Sequence, residues 1–168
     1  FIRQLLLVSL LFFSILTMAQ SRIGTSVNIG VNRIGYYADA GIDLDLNSHQ
    51  LHGGIKFYGP DLVFETNVIG ISLGYNYALN AGNWFFGPGV QASFFHENKV
   101  DSEMFLSEIL IKNKLGYEFG EVFSMYSNLG IGAIINQNST AAYHSVTSYI
   151  NYEFSLGIIY YWRLSADN

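Results

Sequence analysis

The end of the sequence alternates between apolar and polar residues over a long run. The apolar positions are Ile150, Tyr152, Phe154, Leu156, Ile158, Tyr160 and Trp162. The positions between them are Asn151, Glu153, Ser155, Gly157, Ile159, Tyr161 and Arg163. A period of two residues is that of a β-strand with one apolar face. Aromatic residues near both ends of an apolar strip suit the two interfaces of a bilayer.

The same alternation divides the chain into eight predicted strands. They cover about 22–31, 37–46, 51–58, 68–79, 84–95, 104–119, 122–135 and 149–163. The connections 47–50, 80–83 and 120–121 are short, whereas 59–67, 96–103 and 136–148 are longer, and 32–36 is the shortest of the second set. Short turns on one rim and longer loops on the other are typical of a membrane barrel, with both ends of the chain on the short-turn side. Pro88, inside the fifth strand, predicts a bulge.

The first residues have the pattern of an export signal. Arg3 precedes an apolar run from Leu5 to Leu16, and Thr17 and Ala19 are small residues suited to cleavage before Gln20. The prediction is a signal peptide over 1–19 and one barrel domain over 20–168, with an uncleaved anchor as the alternative. The chain has no Cys, which excludes disulfides and thiolate chemistry, and its formal net charge of -5 argues against nucleic-acid binding.

This pattern resembles the small eight-stranded outer-membrane β-barrel proteins of Gram-negative bacteria, and the Ala-Gln junction at 19–20 is similar to those of Bacteroidetes. The resemblance implies an all-β fold, an eight-stranded antiparallel up-and-down transmembrane β-barrel in the outer membrane. It also implies outer-membrane lipids, lipopolysaccharide and the barrel-assembly machinery as partners, and no cofactor. Such barrels usually end on an aromatic residue, whereas here Trp162 is followed by six further residues.

Eight strands enclose a lumen only wide enough for side chains, so the face rich in Gly, Ser and Asn is predicted to point inward. Charged residues share that face: Asp39, Asp43, Asp45, Lys56, Glu108, Lys112, Lys114, Glu118, Glu153 and Arg163. Because buried charges persist only when paired, these residues are predicted to form a salt-bridged network that holds the barrel together. An ion path or proton relay is the alternative.

Aromatic residues are predicted to form belts at both rims. The girdle near the short turns consists of Tyr75, Tyr77, Trp84, Phe86, Tyr117, Phe119, Tyr160 and Trp162. Tyr36, Tyr37, Val63, Phe64, Phe95 and Tyr143 lie at or near the longer loops. They are predicted to form the upper belt, and binding of an extracellular glycan, protein or lipopolysaccharide is the alternative.

Residues that suit chemistry are few. His144, Ser145 and Glu153 resemble the set of outer-membrane lipid A deacylases, but that set needs His and Ser two residues apart. His96, Glu97, Asp101 and Glu103 form an acidic loop whose oxygens suit a divalent cation. Neither pattern is specific, so no catalytic or metal site is predicted. The predicted role is structural or interaction-based. A narrow channel, a lipid A hydrolase and a soluble lipocalin-like carrier are the alternatives.

Overall fold

The computed structural model describes residues 21–60, 67–98, 102–140 and 143–162. These residues form β1 (Ser21–Asn32), β2 (Tyr36–Leu46), β3 (His49–Tyr58), β4 (Val68–Tyr77), β5 (Leu79–Ala81), β6 (Trp84–Asn98), β7 (Ser102–Phe119), β8 (Phe123–Thr140) and β9 (His144–Trp162). In this part of the chain no helix is long and apolar enough to cross a membrane. The predicted signal peptide, Val63, Phe64, Asp101 and Arg163 lie outside the described residues.

The strands close into a barrel in which every strand pairs antiparallel with its neighbours. The order is β4-β3-β2-β1-β9-β8-β7-β6-β5, and pairing of β4 with β6 closes the ring. β5 also pairs with β6 and continues the line of β4, so β4 and β5 together form one strand of the barrel wall. The nine segments therefore make an eight-stranded barrel. The predicted fold class, an eight-stranded antiparallel up-and-down transmembrane β-barrel, is confirmed.

The interruption between β4 and β5 lies opposite Pro88. Asn76 pairs with Gly89 and Leu79 pairs with Phe86, so the register is the same on both sides of the gap. Pro88 also pairs in sequence with Asn113 on the other side of β6. The predicted bulge is therefore wrong, because no residue is inserted. Proline lacks the N–H that the ladder needs, and the cost is a local break in β4.

The two ends of the barrel differ in their connections. At one end, here called the turn rim, tight turns contain Asn47, Gly82 and Gly120, with φ of 57°, 63° and 76°. Asn and Gly are the residues that adopt positive φ at little cost. β1 begins and β9 ends at this rim. The opposite end, which carries the connections after β1, β3, β6 and β8, is the loop rim.

Two of the longer loops are shorter than the sequence predicts. The predicted loop 96–103 is mostly strand, since β6 continues to Asn98 and β7 begins at Ser102. The predicted loop 136–148 is mostly a hairpin, since β8 continues to Thr140 and β9 begins at His144. These strands therefore extend past the loop-rim ends of β1 and β2.

The faces of the strands follow the predicted parity. Outward-facing residues such as Ile29, Ile71 and Leu129 are more than half exposed, whereas the inward residues are mainly polar or small. Inward glycines make room for inward rings: a Cβ on Gly70 would overlap the Phe95 ring. An apolar outside and a polar inside are the reverse of a soluble barrel and suit a wall that faces lipid.

Candidate functional site: a charged lumen beneath an apolar seal

Lys56 is the centre of the most buried ion cluster in the lumen. Its Nζ lies 2.6 Å from Glu108 Oε2 and 3.0 Å from Glu153 Oε2, and all three side chains are fully enclosed. Lys112 Nζ lies 2.6 Å from Glu153 Oε1 and donates to Gln91 Oε1 at 2.6 Å. Two cations and two carboxylates alternate here, so their formal charges cancel. These four charged residues are called the Lys56 cluster.

Neutral donors complete the coordination of Glu108. Its Oε1 accepts from Asn32 Nδ2 at 2.6 Å, from Asn151 Nδ2 at 2.7 Å and from Tyr58 Oη at 3.3 Å. Asn32 Nδ2 also contacts Tyr58 Oη. A carboxylate withdrawn from water is stable only when its lone pairs find donors, and Glu108 takes them from β1, β3 and β9. The cluster therefore connects strands that are not neighbours in the sheet.

His52 forms a second cluster nearer the middle of the lumen. Its Nε2 lies 3.0 Å from Asp39 Oδ1 and its Nδ1 lies 3.3 Å from Asp43 Oδ2. Ser72 Oγ donates to Asp39 Oδ2 at 2.5 Å. The imidazole thus joins two carboxylates of β2 to β3, and the hydroxyl extends the chain of hydrogen bonds to β4. These four residues are called the His52 cluster.

A small polar cavity adjoins both clusters. It has a volume of about 30 Å³, and its lining includes Asp43, His52, Lys112 and Lys114. This volume has room for roughly two water molecules, which is far from an open channel. Lys114 Nζ lies 3.4 Å from Gln50 Oε1 and 4.2 Å from the centre of the Tyr126 ring. The cavity is thus lined by both signs of charge.

Arg22 is the centre of a third group of ion pairs, at the turn-rim end of the lumen. Its Nη2 lies 3.1 Å from Asp45 Oδ2 and 2.5 Å from Glu118 Oε1, and its guanidinium stacks at 4.2 Å from the centre of the Tyr161 ring. The Arg22 side chain is 36% exposed and that of Glu118 is 27% exposed. This group is therefore partly solvated, unlike the two clusters above it.

An apolar cluster closes the lumen toward the loop rim. It consists of Ile34, Tyr37, Tyr58, Val68, Phe95, Met104, Leu106 and Ile134. On their own strands Tyr37, Tyr58 and Leu106 lie one inward position nearer the loop rim than Asp39, Lys56 and Glu108. The Tyr37 ring sits 3.9 Å from Lys56 Nζ, so the seal rests directly on the Lys56 cluster. These eight residues are called the apolar seal.

The sequence-based prediction for two of these residues is corrected by the structure. Tyr37 and Phe95 were expected in the upper aromatic belt, but they are 4% and 1% exposed and point into the barrel. Each lies at an even offset from inward neighbours on its strand, so parity places it inside. Tyr36 and Tyr143, at 82% and 62% exposed, remain on the outside.

The girdle residues lie on the outer surface at the turn rim. Trp84, Tyr160 and Trp162 are each more than half exposed, and the Trp84 and Tyr117 rings meet edge to face at 5.0 Å. Phe86, Tyr77 and Phe119 also face outward, and Tyr75 and Tyr117 are half-buried. His49 extends this belt, since its Nδ1 lies 2.9 Å from Tyr75 Oη. Alternating exposed aromatics at one rim is the arrangement expected at a bilayer interface.

The structure brings nine of the ten predicted lumen charges inward, and Arg163 is outside the described residues. Sequence reasoning missed Arg22 and His52, although both share the parity of their inward neighbours. It also missed the neutral donors Asn32 and Asn151. The signal was present as parity, but His and Asn were not counted with the charges.

Those candidate chemical residues that the structure describes do not assemble into a site. His144 and Ser145 are consecutive on β9, paired with Ser139 and Asn138, so their side chains point to opposite faces. His96 is exposed whereas Glu97 is buried. Within the described residues no group of three or more acidic or histidine side chains is arranged to hold a metal ion.

The comparisons with known proteins identify the fold. No protein-family model matches this sequence, and no curated protein matches it. Among solved structures, the chain is similar to the N-terminal β-barrel domain of OprF from Pseudomonas aeruginosa, at 12% identity and a TM-score of 0.52, covering 86% of this chain and 100% of that one. It is also similar to Neisserial surface protein A, at 12% identity and a TM-score of 0.51, covering 83% and 96%.

Proposed function

We propose that this chain is an outer-membrane β-barrel of a Gram-negative bacterium with a structural or interaction role, that it passes no solute, and that it is not an enzyme. The observation that carries the proposal is the lumen: paired charges fill its middle and the apolar seal covers them. A pore needs a continuous path for water, and the polar cavity that the described residues line in the lumen has a volume of only about 30 Å³. The function then lies on the surfaces outside the lumen.

The outer surface supports the membrane part of the proposal. A wall of exposed Ile, Leu, Val and Phe is stable only against lipid, and the girdle marks its lower edge. Outer-membrane lipids are its partners along the wall. Barrels of this kind need the barrel-assembly machinery for insertion. In this proposal the turn rim, where β1 begins and β9 ends, faces the periplasm, and the loop rim presents the surface for an extracellular ligand or lipopolysaccharide.

The first test is the closed barrel itself. The mature chain is refolded into detergent, and its gel mobility is compared with and without boiling, together with circular dichroism. We expect a strand-rich spectrum and a band that shifts on boiling, because a closed barrel resists unfolding by the gel detergent. A water-soluble protein with no shift would overturn the membrane assignment and favour a carrier.

The second test separates a sealed barrel from a channel and from an enzyme. In planar bilayers we expect no stable conductance at any polarity or salt concentration. A reproducible unitary conductance would contradict the sealed lumen and favour transport. Incubation with lipid A should release no fatty acid. Release that is lost on His144→Ala or Ser145→Ala would instead establish a hydrolase.

A further inference from the structure

In the described part of the chain, β9 has an unpaired edge where it projects beyond β1. It pairs with β8 along its length, from His144 opposite Ser139 onward. Its pairing with β1 begins only at Glu153, opposite Asn32. Among the described residues, no strand lies beside 144–152 on the β1 side. The projecting part of β9 is therefore the border of a sheet.

The backbone groups at this border can be assigned to particular residues. In an antiparallel ladder each residue directs its N–H and C=O to the same neighbour, and successive residues alternate. The Tyr161 N–H donates to Val122 O on the β8 side, so odd residues face β8. The Ile150 carbonyl accepts from Arg33 Nη1 at 3.2 Å, so even residues face the border. His144, Val146 and Ser148 therefore direct their N–H and C=O outward. They are called the free edge.

The free edge lacks the usual protection. Natural sheets shield their borders with Lys, Pro, bulges or very short strands. Residues 144–150 read His-Ser-Val-Thr-Ser-Tyr-Ile, with no Pro, no Gly and no formal charge. At the other border of the projecting sheet, β6 extends only three residues beyond Phe95, and Glu97 is among them. The β6 border is therefore short and includes an acidic residue, whereas the β9 border is longer and uncharged and remains suited to strand pairing.

The side chains around the free edge indicate what would bind there. Val146 and Ile150, at 57% and 69% exposed, lie on one face with Ser148 between them. Ser145 and Thr147 form a small polar row on the other. The Arg33 guanidinium lies 5.1 Å from the centre of the Tyr149 ring, at the end of the free edge nearest the barrel. A complementary strand has apolar residues on one face, small polar residues on the other, and a carboxylate at the end nearest Arg33.

We infer that the free edge binds an extended segment of another polypeptide as an additional antiparallel strand, with an acidic residue against Arg33. This inference rests on the proposed function, which places the loop rim outside the cell. A second copy in the same membrane does not fit. Antiparallel pairing of two identical edges needs a twofold axis perpendicular to the barrel wall, and that axis would invert one barrel. Strand addition supplies affinity from backbone hydrogen bonds and specificity from alternate side chains.

The test uses amide hydrogen exchange on the full barrel in nanodiscs, with gel mobility of the same sample confirming that the barrel is closed. In the free protein, the amides of Ser145, Thr147 and Tyr149 should be protected and those of His144, Val146 and Ser148 should exchange freely. Addition of the capped peptide Asp-Thr-Val-Thr-Val-Thr at millimolar concentration should slow the second set by about tenfold or more. A shifted gel band with no slowing would overturn the inference and leave the proposed function intact.

Matched variants decide whether the edge itself binds. Val146→Pro removes an N–H that points to the border and leaves the β8 ladder intact, so protection by the peptide should be lost. Val146→Thr keeps the N–H, so protection by the peptide should be retained. Arg33→Glu should weaken binding of the peptide that carries Asp and strengthen binding of a peptide that carries Lys in its place. Equal protection by a peptide N-methylated along its bonding edge, or protection in the free protein that rises with its concentration, would overturn the inference in favour of side-chain contact or self-association.

Discussion

The Lys56 cluster and the apolar seal lie in one lumen, on the same strands, one inward position apart, and they are stabilised in different ways. The Lys56 cluster depends on partners at fixed distances, because Glu108 and Glu153 are withdrawn from water and each needs its cation. The seal depends mainly on volume, because aliphatic side chains such as Leu106, Val68 and Ile134 form no hydrogen bonds. Loss of one partner should therefore harm the first more than loss of one side chain harms the second.

The largest effect is expected from Lys56→Met. It removes the cation shared by two buried carboxylates, and breaking such a group by removing one partner costs about 3–5 kcal/mol. The free energy of unfolding, measured by urea titration in lipid vesicles, should fall by that amount. Ile55→Ala, on the outward face of the same strand, is the control and should change it much less. Equal losses for the two variants would mean that the ion cluster does not stabilise the barrel.

A sharper form of the comparison removes a matched pair of charges. Lys56→Met combined with Glu108→Gln removes the cation together with one carboxylate, and Glu153 keeps Lys112 as its partner. Stability should therefore recover by more than half of the loss seen for Lys56→Met alone. The same vesicle titration measures it. No recovery would show that Lys56 acts by packing against the seal and not by charge.

The next effect is expected in the seal. Leu106→Ala leaves a cavity at a position that is 1% exposed, at a cost of about 2–5 kcal/mol, and the value should lie below that of Lys56→Met because apolar neighbours can close in. Leu106→Met, which conserves volume, should cost less than about 1.5 kcal/mol. A reversed order of the two Leu106 variants would contradict a seal held by volume.

The girdle provides a smaller contrast outside the lumen. Trp84→Leu keeps an apolar side chain at the interface but removes the edge-to-face contact with Tyr117, so the loss should be about 0.5–1.5 kcal/mol. Val90→Leu, farther up the same face of β6, should change stability less than that. The transition temperature for loss of the heat-shifted gel band is a convenient measure.

The smallest effect is expected at the turn rim. Arg22→Ala breaks the contacts to Asp45 and Glu118, but Arg22 is 36% exposed and solvent screens it, so the loss should be below about 1 kcal/mol. Repeating the titration at high salt should shrink the difference further. A loss as large as that of Lys56→Met would mean that burial is not what separates the two groups.

The fold was predictable from the sequence because a barrel of this kind repeats one rule. Alternation assigned the faces of the strands, and the inside and outside followed from side-chain volume. The strand ends were not predictable where polarity ceased to alternate: Asn136, Gln137 and Asn138 read as a loop, yet they pair with β9. A projecting sheet with water on both faces has no periodic signal.

The lumen was predictable in its composition and not in its contacts. The sequence indicates that charges share a face, but Lys56 on β3 meets Glu108 on β7 and Glu153 on β9 only because the barrel closes. Such partners depend on closure and stagger, which alternation does not encode. Arg22 and His52 were missed for a different reason, since parity already placed both inward, opposite Asp45 and Asp43 on the adjacent strand, and neither was counted with the lumen charges.

One feature of the topology governs how such a chain must assemble. Each neighbouring pair of strands in the barrel is joined by a local connection except β1 and β9. These two pair from Ile23 opposite Trp162 to Asn32 opposite Glu153. The hairpins close short loops and can form early, whereas this last pairing joins the two ends of the described chain and carries the greatest loop-closure entropy. Until it forms, two strand borders face lipid with unpaired amides. Insertion and completion of the seam are thus coupled events, and the rate of the whole process is set by the strands that are farthest apart in sequence.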